Sequence, residues 1–149
     1  MRPHLIFAAD HAGYLLKNSL MHWGQQQGFP CQDLGVSTPE PVDYPDIAVQ
    51  LAETLHVLSS KAIGVLICGS GIGVSIMANR YRHIRAALCM TPQMAELARR
   101  HNDANVLVLG ARLISSELAL ECLETFLQVP FEGGRHQARV DKLSQITDK

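Results

Sequence analysis

The sequence Val65-Leu66-Ile67-Cys68-Gly69-Ser70-Gly71-Ile72-Gly73-Val74-Ser75 decides the fold. Its apolar run, which opens at Ile63, is continuous rather than alternating, and this is typical of a strand buried on both faces. Three glycines on alternate positions then predict a turn whose backbone N–H groups approach a ligand closely. From Val74 to Asn79 the pattern becomes helical, and a helix N-terminus favours anions. We therefore predict a strand, a glycine loop and a helix, with the Cys68 thiol at the carboxyl end of the strand.

Apolar patterns elsewhere in the chain repeat this strand-and-helix unit. Strands are predicted over residues 4–9, 29–33, 63–68, 84–89 and 106–110, with helical spacing between them. Helices are predicted to start near Pro45 and at Thr91-Pro92, where a capping side chain precedes a first-turn proline. Strands that alternate with helices predict a parallel sheet covered on both faces. The expected fold is a three-layer α/β/α Rossmann-like sandwich with a five-stranded parallel sheet. It should form one domain over residues 1–149, with a C-terminal helix from about 135.

Composition argues against several classes of partner. The formal net charge of −1 gives no attraction for nucleic acid or an anionic membrane, and aromatic residues, at 5%, are too few to favour base stacking. No segment approaches the ~18 apolar residues of a membrane span, and the first apolar run is too short for a signal peptide. The four cysteines contain no C-x-x-C pair, which favours reduced thiols. We expect a cytoplasmic protein.

The spacing within the glycine loop does not match the familiar phosphate-binding motifs. A Walker loop needs a lysine, and none is near, while the dinucleotide fingerprint G-x-G-x-x-G is broken at Gly73. A cysteine phosphatase would have an arginine where Val74 stands. A nucleophile elbow at Ser70 would need a glycine at Cys68. Two interpretations remain, namely a thiol beside a cradle of N–H groups, or a structural turn beside a buried cysteine.

Polar side chains follow three of the predicted strands. Asp10 and His11 end the first, Tyr44 lies in the loop after the second, and Arg112 follows the fifth. Because the carboxyl ends of parallel strands share one edge, the first-strand pair and Arg112 should converge with Cys68. Asp10 could instead cap the first helix.

A second set of polar residues lies away from that edge. His101 and Asn102 enter the fifth strand from its opposite end, so within one chain they should be remote from the thiol. Arg135 and Arg139 are four residues apart on one helical face, and with His136 they could clamp a phosphate. The plainer interpretation is that these arginines, like His101 at a helix C-terminus, are solvated.

Five motifs, taken together, carry a family resemblance: Asp10-His11-Ala12-Gly13, Asp43-Tyr44-Pro45, Cys68-Gly69-Ser70-Gly71-Ile72-Gly73, His101-Asn102-Asp103-Ala104-Asn105, and Glu132-Gly133-Gly134-Arg135-His136-Gln137-x-Arg139. In this order, over nearly the whole chain, the sequence resembles the ribose-5-phosphate isomerase B family. The resemblance implies interconversion of D-ribose 5-phosphate and D-ribulose 5-phosphate without a metal or cofactor. It also implies a homodimer or tetramer whose sites are shared between subunits.

The resemblance further implies a role for each matching residue. Cys68 would be the base that moves a proton between C2 and C1, assisted by Ser70. His101 would open the furanose ring with help from Asp10 and Tyr44. Backbone groups of the loop would stabilise the enediolate, and side chains would hold the phosphate and a sugar oxygen. The substrate-binding set is thus His11, Gly69, Gly71, Ile72, Gly73, Asn102, Arg112, Arg135 and Arg139.

One branch of the family uses a glutamate after the third glycine as the base. Val74 stands at that place, so this chain resembles the cysteine-based branch.

Two alternatives to ribose 5-phosphate isomerisation remain at the level of the sequence. The substrate could be a six-carbon sugar phosphate, such as allose 6-phosphate or galactose 6-phosphate. The chain could also be a non-catalytic sugar-phosphate-binding module, although binding alone needs neither Cys68 nor His101.

Overall fold

The computed structural model describes residues 1–146 and contains one five-stranded sheet. The strands are β1 His4–Ala9, β2 Cys31–Asp33, β3 Ala62–Cys68, β4 Ala86–Leu88 and β5 Val106–Gly110. They lie in the order β2-β1-β3-β5-β4, and every neighbouring pair is parallel. The strand carrying Cys68 is therefore central, and β4 is an edge.

Six α-helices connect and cover the strands: α1 Tyr14–Gln26, α2 Tyr44–Leu58, α3 Ile72–Ala78, α4 Pro92–Asn102, α5 Ser116–Gln128 and α6 Gln137–Leu143. The predicted start of α4 is confirmed, since Thr91 Oγ1 accepts a hydrogen bond from Met94 N at 3.2 Å. The helix runs to Asn102, so His101 belongs to its last turn. Among residues 1–146 no helix is long and apolar enough to cross a membrane.

Two hydrophobic cores lie on the two faces of the sheet. Along β1, Leu5 and Phe7 face one core, and Ile6 faces the other, as the alternation of a strand requires. Helices α1, α4 and α5 pack on the first face, while α2 and α3 pack on the second. The predicted three-layer α/β/α sandwich is confirmed.

The structure shortens the two edge strands relative to the sequence prediction. The predicted strand over 29–33 begins only at Cys31, because Pro30 has no N–H to donate and contributes only its carbonyl oxygen, which accepts from Leu5 N at 2.8 Å. The predicted strand over 84–89 is reduced to Ala86–Leu88. The C-terminal helix, predicted from about 135, begins at Gln137 after a 3₁₀ turn at Gly134–His136.

Candidate active site

The Cys68 sulfur lies at the carboxyl end of β3 and is held by the glycine loop that follows. Its side chain is buried, and Gly71 N donates a hydrogen bond to Cys68 Sγ at 3.1 Å. Gly71 has φ of +78°, and a Cβ at this position would lie 2.5 Å from Leu88 Cδ1. Only glycine therefore permits this turn. One residue on, Ile72 N donates to Ser70 Oγ at 3.2 Å, so the serine hydroxyl is also directed into the loop.

Two side chains close over the glycine loop from neighbouring elements. Tyr44, the first residue of α2, lies against Gly73, where a Cβ would be 2.5 Å from the tyrosine Cε2. Arg112 lies over Gly69, where a Cβ would be 3.1 Å from the guanidinium, and Arg112 N donates to Gly69 O at 2.9 Å. The Tyr44 phenol and the Arg112 guanidinium thus flank the loop, and both groups can bind oxygen atoms of a substrate.

Asp10 is a buried carboxylate in the turn that follows β1. Its backbone N–H donates to Ile67 O at 3.1 Å, which places it level with the end of β3. Asp10 Oδ1 accepts from Ala12 N at 3.0 Å and from Gly13 N at 3.2 Å. The N-cap of α1 is Gly13, so Asp10 braces the turn ahead of the helix rather than capping it.

His11 completes the group at the carboxyl edge of the sheet. Its Nδ1 accepts a hydrogen bond from Val42 N at 3.2 Å, which ties the β1 turn to the loop that leads into Tyr44. The structure therefore brings His11, Asp10 and Tyr44 to the edge where Cys68 ends its strand.

A second group of predicted residues gathers around a small cavity of about 280 Å³, lined by His101, Asn102, His136, Arg139, Val140 and Leu143. The rings of His101 and His136 stack with centroids 4.3 Å apart and planes 15° apart. His136 is 6% exposed, and its Nε2 lies 3.7 Å from Glu132 Oε2, too far for a hydrogen bond. Burial, followed by the charges of His101 and Arg135, lowers the pKa of His136, so this ring is neutral at neutral pH.

The two groups lie at opposite ends of the sheet. Cys68 pairs with Gly110 at the carboxyl end of β5, whereas His101 precedes Val106 at its start. The length of β5 from Val106 to Gly110, four residues of rise, separates the two ends of the sheet by roughly 13 Å. Within residues 1–146 no hydrogen bond or ion pair joins the two groups. The expectation that His101 and the thiol are remote in one chain agrees with this topology.

A cavity of about 640 Å³ elsewhere contains none of the predicted site residues. It lies at the amino edge of the sheet, where Asp103 forms ion pairs with Arg85 at 3.3 Å and Arg99 at 3.4 Å. These pairs brace the end of α4, immediately after His101, and this network was not anticipated from the sequence.

Comparison with known proteins supports one family for this fold and these motifs. A model of the Ribose/Galactose Isomerase family matches residues 5–143. The chain belongs to this family. It is 40% identical over 146 residues to the ribose-5-phosphate isomerase B of Escherichia coli (strain K12), covering 97% of each chain. The chain is therefore an isomerase, and the reading as a non-catalytic module is set aside.

Solved structures of relatives match the isomerase closely. The ribose 5-phosphate isomerase of Thermotoga maritima is 46% identical with a TM-score of 0.92, covering 98% of this chain and 100% of that one. The ribose-5-phosphate isomerase B of Mycoplasma genitalium, with bound ribulose-5-phosphate, is 38% identical with a TM-score of 0.93, covering 97% and 96%. These similarities support a sugar-phosphate isomerase function.

The structure also shows a relationship that sequence reasoning missed. The sequence indicates His136 only as an addition to an arginine clamp and does not predict its stacking on His101. The two residues are 35 positions apart, and nothing in their local patterns indicates a contact. His101 and His136 both lie in motifs that carry the family resemblance, and this shared feature is the one sequence signal that relates them.

Proposed function

We propose that the protein interconverts D-ribose 5-phosphate and D-ribulose 5-phosphate through an enediolate, without a metal or cofactor. The observation that carries the proposal is the Cys68 sulfur, held by the Gly71 N–H inside a glycine loop at the carboxyl edge of the sheet. Family membership and the relative that binds ribulose-5-phosphate support the same conclusion. The reaction is a step of the non-oxidative pentose phosphate branch.

Cys68 is proposed to be the base that transfers a proton between C2 and C1 of the sugar. The Gly71 N–H holds its sulfur in place inside the loop, and the thiolate is the form of a cysteine that accepts a proton. With 4% of the side chain exposed, the sulfur is shielded from bulk water. Proton transfer in such a site avoids loss of the enediolate to solvent.

The glycine loop is proposed to stabilise the enediolate oxygen. Gly71 has a left-handed φ of +78°, a conformation that recurs in loops whose N–H groups bind an anion. A preorganised N–H is worth about 3 to 4 kcal/mol to a developing oxyanion. Ser70 Oγ, already directed into the loop, adds a hydroxyl beside the same oxygen.

Ring opening is proposed for His101, with Asp10 and Tyr44 assisting and Asn102 binding a sugar oxygen. The imidazole takes the proton of the C1 hydroxyl, the C1–O4 bond breaks, and a proton is returned to O4. The product is the open-chain aldehyde that Cys68 can then deprotonate at C2. A histidine suits this role because its ordinary pKa range allows both proton uptake and release near neutral pH.

The phosphate is proposed to bind His11, Arg112, Arg135 and Arg139. Guanidinium groups bind phosphate through paired, charge-assisted hydrogen bonds. Since the phosphate is remote from the reacting carbons, its binding energy serves to orient the sugar. Arg112 contacts the glycine loop, whereas Arg139 lines the cavity at the opposite edge, so one chain does not gather the whole clamp.

A second copy of the chain is proposed to complete each site. Exposed apolar side chains line one side of α4 and its N-terminal approach: Met90 (43% exposed), Met94 (42%) and Leu97 (42%). Met94, Leu97 and His101 follow one another at helical spacing and so share one face of α4, while Met90 lies just before the helix. Ile72 and Ile76 of α3 are exposed as well. An apolar stripe that ends on a functional histidine is suited to a subunit interface.

Antiparallel pairing of this stripe across a two-fold axis would bring the two groups together. Helix α4 has 11 residues and is about 16 Å long. Its N-terminus follows the carboxyl end of β4, and its C-terminus carries His101 to the amino edge. In an antiparallel pair, each His101 therefore reaches the level of the other chain's Cys68. We propose a homodimer, or a tetramer built from such dimers.

A coupled assay that compares ribose 5-phosphate with allose 6-phosphate tests the proposal. We expect higher kcat/KM with ribose 5-phosphate, and loss of turnover in Cys68→Ala with sugar-phosphate affinity retained, because a base acts only in the transition state. Preference for the six-carbon sugar would assign the enzyme to the second candidate activity. Normal hydrogen exchange at the substrate carbon in Cys68→Ala would exclude Cys68 as the base.

A further inference from the structure

We infer that His136 is a positioning residue for ring opening, which holds the His101 imidazole from behind through ring stacking. The inference rests on the proposed role of His101 and adds a residue that touches neither the thiol nor the glycine loop. It is drawn from three observations, namely the geometry of the stack, the burial of His136 and the charges around it.

The stack covers one face of the His101 ring. His101 is half-buried in the last turn of α4, and among residues 1–146 its ring makes no hydrogen bond. Its ring lies 4.3 Å from that of His136, with planes only 15° apart. An offset parallel contact of this kind restricts rotation about the final side-chain bond of His101.

His136 is itself held rigidly. It closes the 3₁₀ turn Gly134–His136, donates its backbone N–H to Gly133 O at 2.9 Å and is 6% exposed. Its Nε2 is buried, and residues 1–146 offer it no hydrogen-bond partner. A buried, unpartnered imidazole nitrogen lowers stability, so packing alone does not account for a histidine at this position.

Burial, followed by the charges of His101 and Arg135, lowers the pKa of His136 and so keeps its ring neutral. Arg135 and Arg139 lie on its own segment and His101 faces it from α4, while Glu132 is the one carboxylate near its ring in residues 1–146. A neutral ring face stabilises an adjacent imidazolium, whereas a second cation would repel it. His136 thus supports His101 at the moment when His101 carries the proton removed from the sugar.

The test separates ring opening from proton transfer at carbon. Ribose 5-phosphate is mostly a closed furanose, whereas ribulose 5-phosphate is open-chain because its C5 oxygen is esterified. Conversion of ribose 5-phosphate therefore requires ring opening, but exchange of a C1 hydrogen of ribulose 5-phosphate with D₂O does not. Both rates are measured on wild type, His136→Ala and His136→Phe, the last of which keeps an aromatic face.

A matched control comes from a second histidine pair in the chain. His56 lies 4.9 Å from His83 with planes 55° apart, and both line the cavity that lacks site residues. His56→Ala removes one member of a histidine pair without touching the proposed site. We expect both of its rates to match those of wild type.

For His136→Ala we expect kcat with ribose 5-phosphate to fall roughly 10- to 100-fold with KM nearly unchanged, as for a misplaced catalytic group. Exchange into ribulose 5-phosphate should stay within about twofold, and His136→Phe should recover most of the loss. The inference would be overturned if His136→Ala lost conversion and exchange equally. It would also be overturned if this variant converted ribose 5-phosphate at the wild-type rate. A wild-type enzyme that neither converts ribose 5-phosphate nor exchanges ribulose 5-phosphate would instead overturn the proposed function.

Discussion

At the scale of single residues, the four cysteines differ sharply in their surroundings. Burial, with a further contribution from Cys122, raises the pKa of Cys89 to about 12, and burial and Glu121 raise that of Cys122 to about 11. These two thiols remain protonated at any ordinary pH. Cys68 alone has a backbone N–H directed at its sulfur by a glycine turn. Reactivity should therefore be concentrated at the proposed base.

Iodoacetamide at pH 8 should inactivate the enzyme by modifying Cys68. With a pKa of about 11, Cys122 is a thiolate to about one part in a thousand at that pH, so it should react negligibly. Peptide mass spectrometry read at half-inactivation checks the site, and ribulose 5-phosphate should slow the modification. Cys31, which is partly exposed, serves as the internal control. If the loss of activity instead parallels the modification of Cys31, the support for a reactive Cys68 is removed.

At the scale of elements, the C-terminal segment joins the proposed phosphate clamp to the proposed ring-opening group. The 3₁₀ turn contains Arg135 and the stacked His136, and α6 contains Arg139 one turn later. Val140 of α6 is buried, which anchors the segment while Arg139 remains exposed beside the cavity. Because α6 has only seven residues, its position depends on this packing rather than on helix propensity.

Arg139→Ala should weaken binding of substrate and of inorganic phosphate by about 1.5 to 3 kcal/mol, the cost of a lost charge-assisted pair. KM and the inhibition constant of phosphate measure the effect. Lys142→Ala, which removes another exposed cation from α6, is the matched control and should leave both constants unchanged. If KM and the phosphate inhibition constant are the same in both variants, Arg139 is a solvated surface residue and does not belong to the phosphate clamp.

At the scale of the whole molecule, the sheet separates the residues that are proposed to act on one sugar. Cys68 lies at the carboxyl edge of the parallel sheet. Helix α4 runs back to the amino edge before β5 begins, so His101 at its C-terminal end lies at that opposite edge. No local rearrangement of a side chain spans roughly 13 Å of strand. The exposed stripe along α4 is the surface on which a second copy is proposed to dock. The proposed active unit is therefore the dimer.

Mixing two inactive variants tests the shared site directly. Cys68→Ala and His101→Ala, denatured and refolded together, should form about half mixed dimers, each with one intact and one doubly altered site. Conversion of ribose 5-phosphate should recover to about a quarter of the wild-type rate. Each variant is refolded alone as the control, which also measures residual activity of His101→Ala on open-chain sugar. Mixed dimers without recovered activity would show that each site lies within a single chain.

The sequence by itself determined the α/β layers, the parallel sheet and the nature of the glycine loop. These follow from local periodicity and from glycine spacing, which act within a few residues, and β1 and β5 have the predicted limits. The weakly paired edge strands were overestimated, since their length depends on one neighbour and on residues such as Pro30.

Only the tertiary structure decided which side chains meet. The contact of His101 with His136, the placement of Tyr44 over Gly73 and the ion pairs of Asp103 join residues far apart in the chain. Such contacts arise when helices and loops pack on a common sheet, and no local pattern encodes them. Sheet topology alone predicted that Cys68 and His101 lie apart, because strand direction is a global property that the order of elements reveals.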